Sequence, residues 1–231
     1  MPRFSRPKDC RNCPYKSKAF SHLNHDEILN LQRQCLIIRF KKGEIITKQG
    51  TLATHSLYVS QGLVKLYVEG KNRNIIIKLI PAGNFIGLHS LFSELQTYNF
   101  SVAAIENSSI CMIPREIFYD QAEKNHNFLL EVTKNVSECA NLVLDKVLSL
   151  SEKTARGRLI DTLLYFSEEI YNNKTFNLPI TRKELAELCS ISTENAVRIL
   201  SELRKEGLID IDGKKITIKQ PALLKKLSNI S

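Results

Sequence analysis

The chain has 231 residues, a length that accommodates two ordinary domains. Apolar residues make up 43% of the sequence, which supports packed cores and excludes a disordered chain. The formal net charge of +9 permits a polyanionic partner without locating its site. No apolar run approaches the roughly 20 residues of a membrane helix, and the basic first residues lead into no apolar stretch. We therefore expect a cytoplasmic protein with no secretory signal and no membrane partner.

Residues 1–19 form a basic arm that carries Cys10 and Cys13. A short helix is predicted from Asn24 to Gln34, because Asn24 is a capping residue type and an apolar face follows it. That face consists of Ile28, Leu29 and Leu31.

From Cys35 to about Ile113, short β-branched and aromatic runs alternate with glycine turns. Strands that recur at such even spacing predict an all-β sandwich, barrel or jelly roll. The predicted strands are 36–40, 44–47, 56–59, 64–68, 75–79, 100–105 and 109–113. With the helices beside them, residues 20–125 are predicted to form one sensor domain.

Helical sequence follows, which Pro114 opens as a first-turn proline. Residues 126–150 are predicted to form a dimerisation helix, because their apolar positions alternate by three and four with only Lys146 interrupting. The predicted seam consists of Leu129, Val132, Val136, Cys139, Val143 and Leu150. The alternative is a helix packed on its own β-domain, and the flanking Leu130, Leu142, Leu144 and Val147 fit that packing. A hinge is predicted at 149–151, followed by a helix from about Glu152 to Tyr171.

Residues 151–231 are predicted to form a winged helix-turn-helix. Thr181 and Glu184 have capping-box spacing, Cys189–Ile191 forms the turn, and Ser192 caps a second helix. That helix has an apolar face of Ala196, Ile199, Leu200 and Leu203, and Gly207 ends it. Two alternating strands around Asp212-Gly213 then predict a hairpin wing.

A helix fits the major groove of B-DNA, where its early exposed residues meet base edges. The predicted base-reading residues are Thr193, Glu194, Asn195, Val197 and Arg198. Arg198 suits guanine, Glu194 suits a cytosine amino group, and Asn195 suits adenine. The predicted phosphate contacts are Arg182, Lys183, Ser192 and Lys214. The alternative is that Glu194 and Arg198 form an ordinary surface ion pair.

Nearly the whole chain resembles the CRP/FNR family of bacterial transcription regulators. The resemblance is carried by residues 81–87 (PAGNFIG), the long helix, and residues 192–200 (STENAVRIL). It implies an α+β fold with an antiparallel β-roll of jelly-roll, cupin-like or cyclic-nucleotide-binding-like type, a dimerisation helix and a winged helix-turn-helix. It also implies that Glu194 and Arg198 read a G·C pair in each half of a palindrome. Ser190 departs from the glycine that the family usually has in the turn.

The resemblance leaves the effector open. The cyclic-nucleotide members have a Gly-Glu-Leu turn for the ribose and an Arg-Ser or Arg-Ala pair for the phosphate. This sequence lacks both that carboxylate and that cation, so cyclic AMP in the usual mode is not expected. The candidate effector pocket, at the corresponding places, consists of Gly87, Leu88, His89, Tyr98, Asn99 and Ser101.

The oxygen-sensing members hold a [4Fe–4S] cluster through three arm cysteines and one in the β-roll. Cys10, Cys13 and Cys111 match three of these places, but the remaining one falls near Ala19. Cys35 is a substitute for which the sequence gives no geometric basis, so no fourth ligand is evident. A zinc site with His22 and His25 is a second interpretation, and we favour a third, a basic arm with two spare thiols. Cys35, Cys139 and Cys189 are predicted to be buried packing thiols.

The sequence thus predicts a homodimer that binds double-stranded DNA at an inverted repeat, and RNA polymerase if it is an activator. The rival is a metal or small-molecule sensor that acts through protein partners. No nucleophile–base constellation, phosphate loop or HExxH motif occurs, so we do not expect an enzyme.

Overall fold

The computed structural model describes residues 3–7 and 10–230, with side chains as far as Ser228. It consists of two compact units. Unit 1 contains the chain up to Glu69 together with Ile77–Leu142, and unit 2 contains Gly70–Ile76 together with the chain from Val143 onward. None of the helices in this described part is both long and apolar enough to span a membrane.

Unit 1 is built around two β-sheets. One sheet has the strand order β1-β2-β9-β4-β7 and the other has the order β3-β8-β5-β6. The elements from the arm to the start of the long helix are β1 Phe4–Ser5, α1 Lys18–Ser21, α2 His25–Gln34, β2 Leu36–Phe40, β3 Ile45–Thr47, β4 His55–Gln61, β5 Leu63–Glu69, β6 Asn74–Pro81, β7 Phe85–Ile86, α3 Leu88–Leu91, β8 Ser101–Ala104, β9 Ser108–Pro114 and α4 Arg115–Lys124. The predicted α+β class with an antiparallel β-roll is confirmed, and all seven predicted strands occur.

An aromatic cluster joins α1 to the β-roll. Phe20 of α1 lies 5.1 Å, between ring centroids, from both Tyr58 of β4 and Phe85 of β7. Phe118 of α4 and Phe128 at the start of the long helix complete the cluster, 5.3 Å apart. Both are fully buried. The helices before and after the β-roll therefore share one core.

The helix ends follow local capping chemistry. Asn24 caps α2, and its capping box with Glu27 is complete. Pro114 directly precedes α4, at the capping position, whereas the sequence places it inside the first turn. Its fixed φ and missing N–H suit either place.

The long helix α5 spans His126–Glu152, two residues more than predicted. The prediction of a hinge at 149–151 is wrong, because α5 continues through these residues and ends at Glu152. Lys153 and Thr154 separate it from the next helix. Thr154 caps the next helix, α6 (Ala155–Tyr165), by accepting from the Gly157 amide. The helix continues as a π-helical turn over Phe166–Ile170.

The seam predicted along α5 requires correction. Val132 is 1% exposed and lies in the core of unit 1, so it is not available to a second chain. Cys139 is half-buried beside His89, with Sγ 4.0 Å from Nδ1. The other four residues of the predicted seam, Leu129, Val136, Val143 and Leu150, repeat every seven residues. They share one stripe of the helix surface with Thr133, Ala140 and Val147. We name this the α5 stripe: Leu129, Thr133, Val136, Ala140, Val143, Val147 and Leu150.

The exposure of residues along α5 also corrects the alternative interpretation, in which the helix packs on its own β-domain. Leu130, Leu144 and Val147 were assigned to the face that packs on the β-domain, but they are 45%, 61% and 56% exposed. Leu142, the fourth residue of that set, is half-buried and lines a cavity of unit 1, as this alternative expects. A three–four spacing fits two adjacent faces of a helix equally well, and only tertiary packing decides between them.

Unit 2 carries the helix-turn-helix and its wing. After α6 come β10 Thr175–Asn177, α7 Arg182–Cys189, α8 Thr193–Lys205, β11 Ile209–Asp212, β12 Lys215–Ile218 and α9 Pro221–Ile230. The three strands form an antiparallel sheet in the order β10-β12-β11. The predicted inner face of α8 (Ala196, Ile199, Leu200 and Leu203) is buried. The strands β1, β7 and β10 were not predicted, because two or three residues are too short to show alternation.

Gly87 is expected to tolerate no side chain. Its backbone is left-handed, with φ of 58°, and an added Cβ would lie 1.9 Å from Cζ of Phe100. Gly87→Ala should therefore lower the free energy of unfolding by about 2–5 kcal/mol, the sum of backbone strain and overpacking. Gly43→Ala is the control, since Gly43 has φ of 84° but open space, and should cost only about 1–2 kcal/mol. Urea unfolding that gave equal losses would contradict the steric argument.

Candidate functional site

The helix-turn-helix is held by caps at both of its helices. The Thr181 hydroxyl accepts from the Glu184 amide, and the Glu184 carboxylate accepts from the Thr181 amide at 2.8 Å. Ser190 ends α7 in a left-handed conformation, with φ of 56°. The Ser192 hydroxyl accepts from the Asn195 amide at 3.2 Å and so caps α8. These contacts fix where the outer face of α8 begins.

The five predicted base-reading residues all lie in the first two turns of α8, outside its buried face. Glu194, Val197 and Arg198 are exposed, and Thr193 and Asn195 are half-exposed. The pKa of Glu194 is lowered by hydrogen bonds from its own backbone amide and from Ser192, so its carboxylate is ionised at neutral pH. The outer face at the start of α8 therefore offers the Glu194 carboxylate as an acceptor and the Arg198 guanidinium as a cationic donor.

Arg198 does not pair with Glu194 as the sequence alternative supposed. Its guanidinium donates to Glu202 at 2.5 Å and to the Asn195 amide oxygen at 2.7 Å. Both partners are exposed or half-exposed side chains, and such contacts contribute little to stability. The guanidinium is thus oriented along the helix surface by contacts that exchange readily for others.

Among the predicted phosphate contacts, Arg182 has a different environment from the other three. Its Nη2 donates to the carbonyl of Gly213 in the wing at 3.0 Å, and its Nη1 is buried without a hydrogen-bond partner. Burial also lowers its pKa. Lys183, Ser192 and Lys214 are exposed. Arg182 therefore contacts the wing from the first turn of α7, and its contact with phosphate stays a prediction.

The sequence analysis missed two cationic side chains that contact the end of α7, next to the turn. The Lys146 amine of α5 donates to the carbonyl of Leu188, and Nε of Arg158 donates to that of Cys189 at 2.9 Å. These are the last carbonyls of α7, which attract positive charge. Burial lowers the pKa of Lys146. The lysine that interrupts the apolar pattern of α5 thus has a partner in the helix-turn-helix.

A cavity in unit 1 is lined by four cysteines: Cys10, Cys13, Cys35 and Cys111. Burial raises the pKa of Cys111 to about 12, and it raises that of Cys35 further. Cys35 is buried, as predicted, but it faces this cavity and is not simply a packing thiol. Cys189 is also buried as predicted, whereas Cys139 is only half-buried.

The zinc interpretation does not match the placement of the histidines. Neither His22 nor His25 lines the cysteine cavity, and His25 contacts Arg11 instead. Among the described side chains, no three of His, Cys, Asp and Glu come close enough to share one metal ion.

The predicted effector residues separate into two groups. Gly87, Leu88 and His89 line a second cavity of about 70 Å³, which α5 closes with Asn135 and Cys139. Burial lowers the pKa of His89, which favours its neutral form. The cavity is small beside the 300–1,000 Å³ typical of ligand pockets.

The other three effector candidates lie away from this cavity. The Tyr98 hydroxyl donates to the carbonyl of His55 at 2.7 Å, and Asn99 is exposed. The Ser101 hydroxyl donates to Glu69 at 2.6 Å. None of the three lines the second cavity, although Phe100 between them contacts His89, so one pocket made by both segments stays a prediction.

Comparison with known proteins agrees with this architecture. The model of the cyclic nucleotide-binding domain matches residues 37–125, and that of the Crp-like helix-turn-helix domain matches residues 157–227. The fumarate and nitrate reduction regulatory protein of Vibrio cholerae is 28% identical, over 96% of this chain and 91% of that protein. The cAMP-activated global transcriptional regulator CRP of Salmonella typhimurium is 24% identical, over 80% of this chain and 90% of that protein.

A solved structure supports the fold. A transcriptional regulator of the CRP/FNR family from Eubacterium rectale superposes with a TM-score of 0.77 at 20% identity, over 94% of this chain and 99% of that one. A cyclic-nucleotide-binding type of β-roll joined to a Crp-like helix-turn-helix defines a class of DNA-binding transcription regulators, which are not enzymes. This chain belongs to the CRP/FNR family of such regulators.

We predict that replacing Ser190 in the turn with glycine stabilises the protein. A non-glycine residue in the left-handed region carries strain, and the Ser190 hydroxyl is also buried without a hydrogen-bond partner. Ser190→Gly should raise the free energy of unfolding, and it should exceed Ser190→Ala by about 1 kcal/mol, because only glycine removes the backbone strain. Thermal and urea unfolding measure both variants. Equal stability of the two variants would show that the backbone at this position is not strained.

Proposed function

We propose that this chain regulates transcription as a cytoplasmic homodimer that reads an inverted-repeat operator through the outer face of α8. The observation that supports this most directly is the split of α8 into two faces. Ala196, Ile199 and Leu203 are buried, while Glu194 and Arg198 stand on the opposite side at the start of the helix. A helix presented in this way fits the major groove.

The roles of individual residues follow from their chemistry. Arg198 would donate to both acceptors of a guanine, and Glu194 would accept from the paired cytosine. Lys183, Ser192 and Lys214 would contact phosphates and set the register, while Arg182 would hold the wing. Arg198 must exchange its contacts with Asn195 and Glu202 for contacts with a base, at little cost because the ion pair with Glu202 is exposed.

The α5 stripe supports the homodimer. It alternates by four and three over three heptads, and several of its apolar members are exposed, Val147 by 56% and Val143 by 46%. Such a pattern on an exposed helix face is typical of two-stranded coiled coils. A two-fold dimer would present two α8 helices to successive major grooves about one helical turn apart.

The β-roll would sense the effector and, in an activator, the dimer would contact RNA polymerase. Cyclic AMP in the usual mode is not part of the proposal. Leu88 stands where the cyclic-nucleotide members have their carboxylate, and Leu88 is buried beside His89 in a small cavity.

Removal of Arg198 tests base reading. Arg198→Ala should weaken binding to the preferred operator by about 1–3 kcal/mol and relax the preference at one base pair per half-site. Arg204→Ala is the matched control, since Arg204 is an exposed arginine of the same helix that pairs with Asp210 near the wing. Selection on random DNA followed by titration at several salt concentrations measures both variants.

Two outcomes of this experiment would count against the proposal. Unchanged base preference in Arg198→Ala would remove Arg198 from base reading. A wild-type protein with little DNA affinity at any salt would instead favour a sensor that acts through protein partners, because DNA binding depends steeply on salt.

A charge in the α5 stripe tests the dimer. Val147→Glu should convert the dimer to monomers, because two carboxylates would face each other across an apolar seam. Leu148→Glu is the control, since Leu148 is exposed to a similar degree, 53%, but lies outside the stripe. Sedimentation equilibrium gives the mass of each. A dimeric Val147→Glu, or equal effects of the two changes, would place the interface elsewhere.

A further inference from the structure

One apolar side chain stands on the outer face of α8. Four of the 13 residues of this helix are buried, and the structure describes all 13. Among the other nine, Val197 is the single apolar residue, and it is 50% exposed. We propose that the isopropyl group of Val197 recognises the C5-methyl group of a thymine, in the base pair next to the G·C pair of each half-site. The inference rests on the proposed function, since it names a base that α8 reads.

Neither packing nor helix formation accounts for a valine at this position. Valine is branched at Cβ and forms helices less readily than alanine, arginine or glutamate. Its burial in the chain's own core is incomplete, because half of its surface is exposed. A lone apolar residue on an ordinary surface needs no special cause. Val197, however, directly precedes Arg198 and follows Glu194 by one helical turn, so it stands among the residues proposed to meet base edges.

The long polar neighbours of Val197 are directed away from it. The guanidinium of Arg198 donates to Asn195 and Glu202. Successive residues of an α-helix are about 100° apart around its axis, so these two acceptors lie on the flank of α8 that is turned away from Val197. The Glu194 carboxylate accepts from its own backbone amide at the start of the helix. The isopropyl group is therefore left open to solvent and is not covered by the stem of a charged side chain.

The direction of the two methyl groups is fixed by the helix. A valine in a helix strongly prefers one χ1 rotamer, so contact with a ligand costs it little side-chain entropy. The backbone beneath it is held by the Ser192 cap on the Asn195 amide and by the burial of Ala196 and Leu200 on the inner face. Val197 therefore presents a small, rigid apolar surface at a defined place on α8.

The major groove offers one kind of apolar group to such a surface. Its base edges carry hydrogen-bond donors and acceptors, and thymine alone adds a C5-methyl group. An isopropyl group pressed against a donor or acceptor would take that atom out of water without a hydrogen bond, which costs free energy. Against the thymine methyl group, both partners bury apolar surface and bind more tightly. Thymine is therefore the base whose edge is complementary to Val197.

The place of the thymine follows from the neighbours of Val197 in the helix. Consecutive Cα atoms are about 3.8 Å apart, and stacked base pairs are about 3.4 Å apart. Val197 and Arg198 are consecutive residues and both are exposed, so their side chains reach base pairs that are also consecutive. With Arg198 on the guanine of the G·C pair, Val197 meets the base pair beside it. Each half-site should therefore contain a thymine directly next to the G·C pair.

The test replaces this thymine with deoxyuridine, which lacks only the C5-methyl group. The operator is the inverted repeat that the full-length wild type selects from random DNA, and the replacement is made in one half-site. The wild type should bind the deoxyuridine operator about fourfold more weakly, the effect of one buried methyl group. Val197→Ala should bind the two operators equally, because its side chain ends at Cβ. Val197→Ile keeps the branched apolar surface and should keep the difference.

Ser201→Ala is the matched control for these variants. Ser201 is exposed and lies one turn after Val197 on the outer face of α8, so its replacement also shortens a side chain there. It should keep the difference between thymine and deoxyuridine. Because Val197 and Ser201 are both exposed, all three variants should fold, and thermal unfolding checks this. The comparison of two operators in each variant isolates the contact between isopropyl and methyl group from other effects of deoxyuridine on the DNA.

Each outcome decides the inference. A difference that is present in the wild type and absent in Val197→Ala supports it. Equal binding of both operators by the wild type would overturn it, and so would a difference that persists in Val197→Ala. A wild type that selects an inverted repeat with no thymine beside the G·C pair would refute the role of Val197 and leave the proposed function intact. A wild type that selects no sequence at all would refute both.

Discussion

The continuity of α5 is the constraint on which the rest of the structure depends. The helix begins at His126 and ends at Glu152. Its Phe128 lies in the aromatic core of unit 1, and its Lys146, in unit 2, donates to the last turn of α7. Its inner positions satisfy these two contacts, and the α5 stripe consists of residues outside them, except that Val136 also packs against the core of unit 1. Packing on the chain's own units therefore decides which residues a second chain would meet.

Local signals explain why the helix-turn-helix was predicted closely. A cap, a turn and a hairpin each depend on a few neighbouring residues, so Thr181, Ser192 and Asp212-Gly213 placed the elements without tertiary information. Two of the six predicted seam residues were misplaced because their burial depends on tertiary packing. Val132 and Cys139 repeat with the same spacing as Thr133 and Ala140, and only the fold of unit 1 selects between the two sets.

Long-range contacts account for the other corrections. Cys35 and Cys111 are 76 positions apart, and their approach follows from the β2–β9 register, which no pattern in the sequence specifies. Arg182 was assigned to phosphate because it is a cation at the start of a helix, but the wing turn places a carbonyl within its reach. The effector candidates were chosen by correspondence with the family, and the hydrogen bonds that Tyr98 and Ser101 form with His55 and Glu69 are long-range contacts that this correspondence does not specify.

The contact between Lys146 and the Leu188 carbonyl has a geometric consequence for regulation. Neighbouring residues of an α-helix differ by about 100° around its axis, so a twist of α5 by a fraction of that angle would withdraw the amine from the carbonyl. Such a twist need not lengthen, bend or translate the helix. The end of α7 would thus respond to torsion of α5.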